Sequence, residues 1–131
     1  LEEPDCFHDI FGHVPMLAHE GMARAMEHVG RLGVRAIAAG RGDWVARLYW
    51  YTVEFGLCRE GGETRILGAG LASSFGEARV SLEDPALERR RFTLAEATAT
   101  PYRHDAMQPL YFVADSVEAA VEAILTAEVP Q

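Results

Sequence analysis

The segment from Trp44 to Leu57 is apolar around nearly its whole circumference, and it constrains the fold more than any other feature of the sequence. Asp43 is a candidate N-cap, so we predict a helix from Trp44 to about Leu57 that Gly61-Gly62 terminates. A helix that is apolar all round is stable only when other elements cover it, so we expect it at the centre of the molecule. Glu54 is the one carboxylate within this segment.

The length and composition indicate one globular domain over residues 1–131, since 49% of the residues are hydrophobic and 24% are charged. Cys6 and Cys58 are far apart and lack CxxC spacing, which argues against a disulfide framework or a zinc knuckle. Without a secretory or transmembrane segment, the reducing cytoplasm is the expected compartment. A net charge of -8 argues against nucleic acid or an anionic membrane as a partner. The run Arg89-Arg90-Arg91 is interpreted as solvated surface.

The remaining pattern predicts a mainly α fold with a small two-stranded β element. Ala18 to about Ala39 has helical spacing and is expected to form one or two helices hinged near Gly30 or Gly33. The strands are expected at Thr64–Leu67 and Leu110–Val113. Shorter helices are predicted from Ser73 or Ser74 to about Leu82, from a Thr93/Glu96 capping box to just before Pro101, and after an Asp115/Glu118 capping box at the end of the chain.

His8 and His13 are five positions apart, which on a regular α-helix would separate their directions by roughly 140°. Gly12 loosens the helix and Pro15 biases Val14 away from helical geometry, so we expect His13 to lie at a broken helix end and turn back toward His8. The alternative is that the two histidines are satisfied separately, one near the surface and one capping a helix end.

Glu54 favours convergence, because a buried carboxylate costs several kcal/mol unless it is paired or bound to a metal. Two neutral imidazoles and one carboxylate form a facial triad that leaves metal positions open, the arrangement suited to iron(II) that activates dioxygen. A purely structural ion pair remains open, and its candidate partners are Arg47, Arg59 and Arg65.

A zinc-dependent hydrolase with Asp9 as general base is a further alternative. Against it, the histidines do not have the i,i+4 spacing of the His-Glu-x-x-His motif, since the second histidine comes one position late. His19 and His28 lack comparable neighbours and are predicted to be exposed helix residues.

The string from Glu3 to Pro15, Glu-Pro-Asp-Cys-Phe-His-Asp-Ile-Phe-Gly-His-Val-Pro, resembles the metal-binding signature of the tetrahydropterin-dependent aromatic amino acid hydroxylases, and the bacterial phenylalanine 4-hydroxylases most of all. Three further blocks resemble the same family in the same order, over almost the whole chain. These blocks are Tyr49–Leu57, Gly68–Glu77 and Gln108–Val113.

The resemblance implies a shortened, hydroxylase-like helical catalytic domain that uses Fe(II) and tetrahydropterin to hydroxylate an aromatic amino acid with dioxygen. It implies His8, His13 and Glu54 as iron ligands and as the catalytic centre. It also implies roles around the iron: Asp9 near the pterin, Trp50 as a wall of the amino-acid pocket, Ser73 beside the substrate and the first histidine, Tyr102 in the pocket region, and Glu77 just outside the ligands.

The resemblance covers only about the C-terminal half of the family's catalytic domain, and Leu1-Glu2 stands where the motif usually has Thr-Pro. The family's pterin-stacking loops and the arginine that binds the substrate carboxylate come before this part, and His104 replaces a commonly apolar residue that bears on substrate choice. The leading hypothesis is a monooxygenase that converts phenylalanine to tyrosine, with tyrosine, tryptophan or a carrier-bound aromatic as open alternatives. A non-catalytic metal-binding domain is the rival, and a homo-oligomer could complete the pocket.

Overall fold

The computed structural model describes residues 5–131, so the motif residues Leu1 to Pro4 lie outside the described part. The helices, including two π-helical turns, are α1 (Cys6–His8), the first π turn (Asp9–His13), α2 (Val14–Leu17), α3 (Glu20–Ala38), α4 (Gly42–Tyr49), the second π turn (Trp50–Glu54), α5 (Ala69–Ala72), α6 (Phe75–Glu83), α7 (Leu94–Ala99) and α8 (Val117–Leu125). The strands are β1 (Leu57–Glu60), β2 (Glu63–Ile66), β3 (Glu88–Arg91) and β4 (Leu110–Ala114).

The β element has four strands in the order β2-β1-β4-β3, where we expected two. Strands β1 and β2 are antiparallel, whereas β4 runs parallel to both β1 and β3. Gly61 and Gly62 do not terminate a helix but form the two-residue turn between β1 and β2, with φ of +58° and +81°. Consecutive positive φ values suit the tight hairpin turn that matches strand twist, and glycine adopts them without steric cost.

Two strands were not predicted, β1 and β3, and β3 contains the three arginines that were interpreted as solvated surface. Arg89 donates to the carbonyl oxygens of Ser81 and Asp84 at the end of α6, at 2.7 and 2.9 Å. Arg90 and Arg91 are exposed, so the predicted exposure is right for these two. What was not predicted is that the backbone of these arginines forms a strand. Strand β3 lies at the edge of the sheet, and an edge strand tolerates charged side chains.

Helix α3 is one continuous helix, and the hinge expected near Gly30 or Gly33 is absent from it. A row of buried side chains at spacings of three and four residues packs this helix against α4 and α8 on both sides of the two glycines. The two glycines lie off that row. The buried side chains are Met22, Ala25, Val29, Leu32 and Ala36.

The predicted central helix is buried as expected, with Leu48 and Val53 fully inaccessible, but its ends differ. It begins at Gly42 with Arg41 in the N-cap position, so Asp43 lies in the first turn instead of capping it. Its C-terminal end is the second π turn, after which the chain enters β1 at Leu57. The apolar helix is therefore followed, after two residues, by a central strand of the sheet.

The shorter helices follow their predicted start signals in two of three cases. Ser74 is the N-cap residue of α6, and the Thr93 hydroxyl accepts a hydrogen bond from the Glu96 amide at the start of α7. Helix α8 is capped by Ser116, whose hydroxyl accepts from the Ala119 amide, and not by Asp115. Asp115 instead pairs with Arg91 of β3.

Within residues 5–131, no helix combines the length and the hydropathy needed to cross a bilayer.

Candidate metal centre

The first π turn aligns His8 with His13. In this turn the Val14 amide donates to the Asp9 carbonyl, an i→i+5 hydrogen bond, so side chains five positions apart lie above one another. The helix is not broken as we expected, because Val14 has helical φ and ψ of −62° and −48° and Pro15 lies in the first turn of α2. Convergence of the histidines was predicted correctly, but its cause is a wider helical turn.

The second π turn presents Glu54. It closes with an i→i+5 hydrogen bond of 2.8 Å from the Phe55 amide to the Trp50 carbonyl, after which the helix ends. Tyr51, Thr52 and Val53 are buried within this turn, which fixes its orientation against the core. Glu54 is the last residue of the turn, so its position follows from the packing of the residues before it.

The three predicted ligands meet at one point. The Nε2 atom of His13 lies 2.7 Å from one Glu54 carboxylate oxygen, and Nε2 of His8 lies 3.5 Å from the other. One potential ligand atom from each residue lies within 4.8 Å of the other two. Nitrogen lone pairs and carboxylate oxygens repel at such distances unless a proton or a metal cation lies between them, so these atoms can share a proton or bind a metal ion.

The arginines considered as structural partners of Glu54 are engaged elsewhere. Arg47 donates to the Thr98 carbonyl, Arg59 to the Gly62 carbonyl and Thr64, and Arg65 pairs with Glu63. In residues 5–131, the ion-pair partners of Glu54 are the two histidines. The alternative of a structural ion pair between Glu54 and an arginine is therefore wrong.

Ser73 sets the tautomer of His8. Its hydroxyl lies 2.8 Å from Nδ1 of His8 and also 2.8 Å from the Ala69 carbonyl oxygen. A hydroxyl has a single proton, and the carbonyl can only accept, so Ser73 donates to Ala69 and accepts from the Nδ1–H of His8. The Nε2 atom of His8 then keeps its lone pair for a metal, as metal-binding histidines generally require.

Tyr49 is a residue near the centre that the sequence analysis did not single out. Its ring stacks on that of His13 at a centroid distance of 6.5 Å. Burial, and then the neighbouring Glu54 carboxylate, raise the pKa of the Tyr49 hydroxyl well above its usual range, so it stays protonated. Tyr49 and Glu54 are five positions apart, the spacing that the second π turn aligns.

Trp50, the first residue of the second π turn, lies against Tyr102. Their rings stack at 4.2 Å with an interplanar angle of 10°, and Trp50 also contacts Phe55. The Trp50 indole N–H donates to the Gln108 side chain at 3.0 Å. Gln108 is buried and was not proposed as a site residue.

The Glu77 carboxylate accepts hydrogen bonds from the backbone N–H of Gln108 at 3.1 Å and from the Tyr111 hydroxyl at 3.0 Å. It therefore holds these two residues and contacts none of the three candidate ligands. Burial, and then this carboxylate, raise the pKa of Tyr111. Glu77 also lines a cavity of about 670 Å³ together with Ser74, Gly76 and residues 104–107. The ligands do not line this cavity, which adjoins the centre through Ser73-Ser74.

The other polar candidates lie outside the cluster. Asp9 is exposed on the first π turn, and His104 is exposed in the cavity wall. His19 is exposed as predicted but is the N-cap of α3, where its Nδ1 accepts from the Met22 amide. His28 lies on α3 but is half-buried, and its Nε2 atom is inaccessible, so the prediction of an exposed side chain was wrong for this residue.

The family model for biopterin-dependent aromatic amino acid hydroxylases matches residues 1–127. The chain belongs to this hydroxylase family. Among its relatives, the phenylalanine-4-hydroxylase of Caulobacter vibrioides is 48% identical over 125 residues, which are 95% of this chain and 42% of the relative. The bovine (Bos taurus) tyrosine 3-monooxygenase is 42% identical over 93% of this chain and 24% of its own length.

Solved structures of family members agree with the fold. A variant of the Chromobacterium violaceum phenylalanine hydroxylase superposes with a TM-score of 0.91 at 45% identity, covering 97% of this chain and 46% of that one. The cobalt-bound form of the same hydroxylase gives a TM-score of 0.91 at 44% identity with the same coverage. This chain thus spans less than half the length of the hydroxylases that it matches.

Proposed function

We propose that this chain is the iron-binding part of a tetrahydropterin-dependent monooxygenase that hydroxylates an aromatic amino acid, with phenylalanine as the preferred substrate and tyrosine as its product. The observation that carries the proposal is the convergence of His8, the last residue of α1, with His13 and Glu54, the last residues of the two π turns. Membership of the biopterin-dependent family supports the choice of iron(II) and pterin as cofactors.

The donor set fits iron(II). Two imidazole nitrogens and one carboxylate on one side leave the opposite side open, which is what a metal that must meet dioxygen and a second reactant needs. Iron and the reduced pterin, when bound, supply the activation of dioxygen. The part of the protein is to hold the ligand atoms in place, and the Ser73 contact to His8 supports this role.

The residues beside the centre suit an aromatic substrate. Trp50 stacks on Tyr102 and lies tilted against Phe55, the residue after Glu54, and planar rings offer both apolar area and specific stacking geometry to another ring. Half-buried placement of Trp50 and Tyr102 leaves part of each ring accessible. We assign these rings to the wall that orients the amino-acid side chain and excludes water from it.

Asp9 is assigned to the pterin side. It lies next to His8 in the sequence, is exposed, and takes the place of an acid found near the pterin in the family. A carboxylate accepts hydrogen bonds from the N–H groups of a pterin ring. Cytoplasmic action is the expectation that accompanies this function, since Cys6 and Cys58 are both free thiols.

A non-catalytic metal-binding domain is the second candidate, and one observation favours it. The chain spans 42% of the Caulobacter hydroxylase and 46% of the solved Chromobacterium chain, so any groups that those proteins use elsewhere for pterin and substrate must come from outside residues 1–131. In this case the chain binds iron without turnover. A second copy in a homo-oligomer is one means of completing the pocket.

The test combines binding and turnover. The protein is reconstituted anaerobically with iron(II), tetrahydropterin and phenylalanine are added, oxygen is admitted, and tyrosine is measured by mass spectrometry, with tyrosine and tryptophan as parallel substrates. Product that depends on both iron and pterin supports the monooxygenase. Stoichiometric iron without product supports the metal-binding domain.

Glu54→Ala identifies the ligand role. We expect loss of tight iron(II) binding with an unchanged far-ultraviolet circular dichroism spectrum, because a carboxylate ligand is removed while the buried helix face before it is kept. Glu60→Ala, an exposed carboxylate on β1, is the matched control and should bind iron normally. Unchanged iron stoichiometry in Glu54→Ala would remove this residue from the ligand set.

A further inference from the structure

In the segment between α7 and β4, an exposed stretch from Arg103 to Met107 is followed by one buried side chain, Gln108. Arg103, His104, Asp105, Ala106 and Met107 are all exposed, whereas Gln108 is only 3% exposed. We call residues 103–107 the pocket loop, because residues 104–107 line the cavity of about 670 Å³. A buried polar side chain at the end of an exposed loop needs partners, because an unsatisfied buried amide costs free energy.

Gln108 has a partner for every polar group of its side chain. Its Nε2 donates to the carbonyl oxygens of Arg103 at 2.8 Å and Ala106 at 3.1 Å, which connects the first residue of the pocket loop to a residue near its end. Its Oε1 accepts from the Trp50 indole N–H at 3.0 Å. Its backbone N–H donates to the Glu77 carboxylate at 3.1 Å.

The chemistry of this position admits only a long carboxamide. Two carbonyl oxygens require a group with two N–H donors, while an indole N–H requires an acceptor, and the glutamine side chain provides both at one end. A leucine at this position could satisfy none of the three contacts. A glutamate could still accept from the indole, but its carboxylate would repel the two loop carbonyls.

Gln108 therefore joins two parts of the site that lie far apart in the sequence. Trp50 begins the π turn that ends in Glu54, and its ring also stacks on Tyr102, which immediately precedes the pocket loop. The cavity wall and the helix that carries the iron ligand are thus connected through one amide group.

We propose that Gln108 is a positioning residue that holds the pocket loop against Trp50 and so fixes the width of the amino-acid pocket. The proposal rests on the proposed function in that the aromatic amino acid is held by the Trp50 and Tyr102 rings, with the cavity lined by the pocket loop beyond them. Gln108 itself contacts neither iron nor substrate, and it acts by fixing the ring of Trp50 on one side and the carbonyls of Arg103 and Ala106 on the other.

Two variants distinguish the hydrogen bond to Trp50 from the hydrogen bonds to the pocket loop. Gln108→Leu removes the acceptor for Trp50 and both donors to the loop. Gln108→Glu keeps the acceptor and removes the donors. Gln131→Leu makes the same substitution at an exposed residue at the end of the chain and is the matched control.

The first readout is independent of activity and uses the indole N–H signals of Trp44 and Trp50 in ¹⁵N-labelled protein. We expect the Trp50 signal to move upfield and to exchange faster with solvent in Gln108→Leu, to stay near its position in Gln108→Glu, and to be unchanged in Gln131→Leu. Trp44 should not respond in any variant. An unmoved Trp50 signal in Gln108→Leu would overturn the proposal.

The second readout is steady-state kinetics under the conditions of the turnover test. Both Gln108 variants should raise KM for phenylalanine about tenfold through loss of the loop hydrogen bonds, with a smaller change in kcat and unchanged iron stoichiometry. Equal losses in iron binding and kcat with unchanged KM would refute a positioning role. If the wild-type chain binds iron but makes no product, the proposed function fails, and the Trp50 signals still decide whether Gln108 holds the Trp50 ring.

Discussion

The hydroxyl of Ser73 contributes more to the metal centre than its size suggests, because it determines which nitrogen of His8 is free. Without it, the imidazole can rotate or adopt the other tautomer, and either change misdirects the lone pair of Nε2. Metal sites commonly lose roughly 10- to 100-fold in affinity when such a supporting hydrogen bond is removed. We expect Ser73→Ala to weaken metal binding by that factor, as measured by anaerobic titration with iron(II) or cobalt(II).

Ser74→Ala is the matched control for this prediction. Ser74 is the adjacent serine and the N-cap residue of α6, but its side chain makes no capping hydrogen bond. Its replacement should leave metal affinity unchanged. Equal weakening by both substitutions would mean that the effect comes from the helix start and not from the contact with His8.

The sequence predicts the convergence of the three candidate ligands, whereas it indicates only some of the residues around them. His8, His13 and Glu54 stand out because a carboxylate in an apolar helix requires a cation, and the family motif names the same residues. Tyr49 and Gln108 were missed because each looks like ordinary core or loop sequence. The available signal for Tyr49 was its five-residue spacing from Glu54, which repeats the spacing of the histidines.

At the level of elements, the first π turn depends on Gly12. This glycine is buried between the two histidines, and a Cβ atom there would lie 2.8 Å from the Ala69 carbonyl oxygen of α5, too close for either backbone to tolerate. The same carbonyl accepts from Ser73. Gly12→Ala would push α5 away from the ligands and disturb both the packing and the Ser73 contact.

We expect Gly12→Ala to lower the free energy of unfolding by about 1–3 kcal/mol, the usual cost of overpacking, and to weaken metal binding. Urea unfolding and metal titration measure the two effects. Gly30→Ala is the control, since it lies in the helix interior of α3 with open space around it and should stabilise the protein by up to about 1 kcal/mol. A stable Gly12→Ala variant with normal metal affinity would contradict the proposed tight packing.

Elements with local signals were predicted most accurately. Helix α7 follows from its Thr93 cap and the following Pro101, and strand β4 from its continuous apolar run. Strand β3 could not be predicted from its own residues, because Arg89 to Arg91 form a strand only by pairing with β4. The π turns were missed because the choice between i→i+4 and i→i+5 hydrogen bonds depends on packing around the turn and not on local composition.

On the scale of the whole molecule, one surface remains apolar. Five large side chains along the first described helices are each about half exposed, and the rings of Phe7 and Phe11 are only 4.7 Å apart. A contiguous apolar surface of this kind favours association, whereas single exposed apolar residues are normal. The five side chains are Phe7, Ile10, Phe11, Val14 and Leu17.

We expect the isolated chain to bind a hydrophobic dye such as ANS and to self-associate with increasing concentration, as measured by fluorescence and sedimentation velocity. The double substitution Ile10→Lys and Val14→Lys should reduce both effects, because it places two charges within the apolar surface. Val34→Lys with Ile37→Lys is the control, since these two residues are more exposed but form no such row. A chain that stays monomeric and does not enhance ANS fluorescence would show that this surface does not promote association.

Each π turn is equivalent to an α-helix into which one residue has been inserted. In a regular helix the same faces would be shared by residues four apart, so a search for metal sites that assumes His-x3-His spacing passes over this centre. Insertion or deletion of one residue within a π turn would change which side chains face the cation, although the sequence would still contain all three candidate ligands. Length variation within these two turns is therefore as informative about loss of the site as replacement of a histidine.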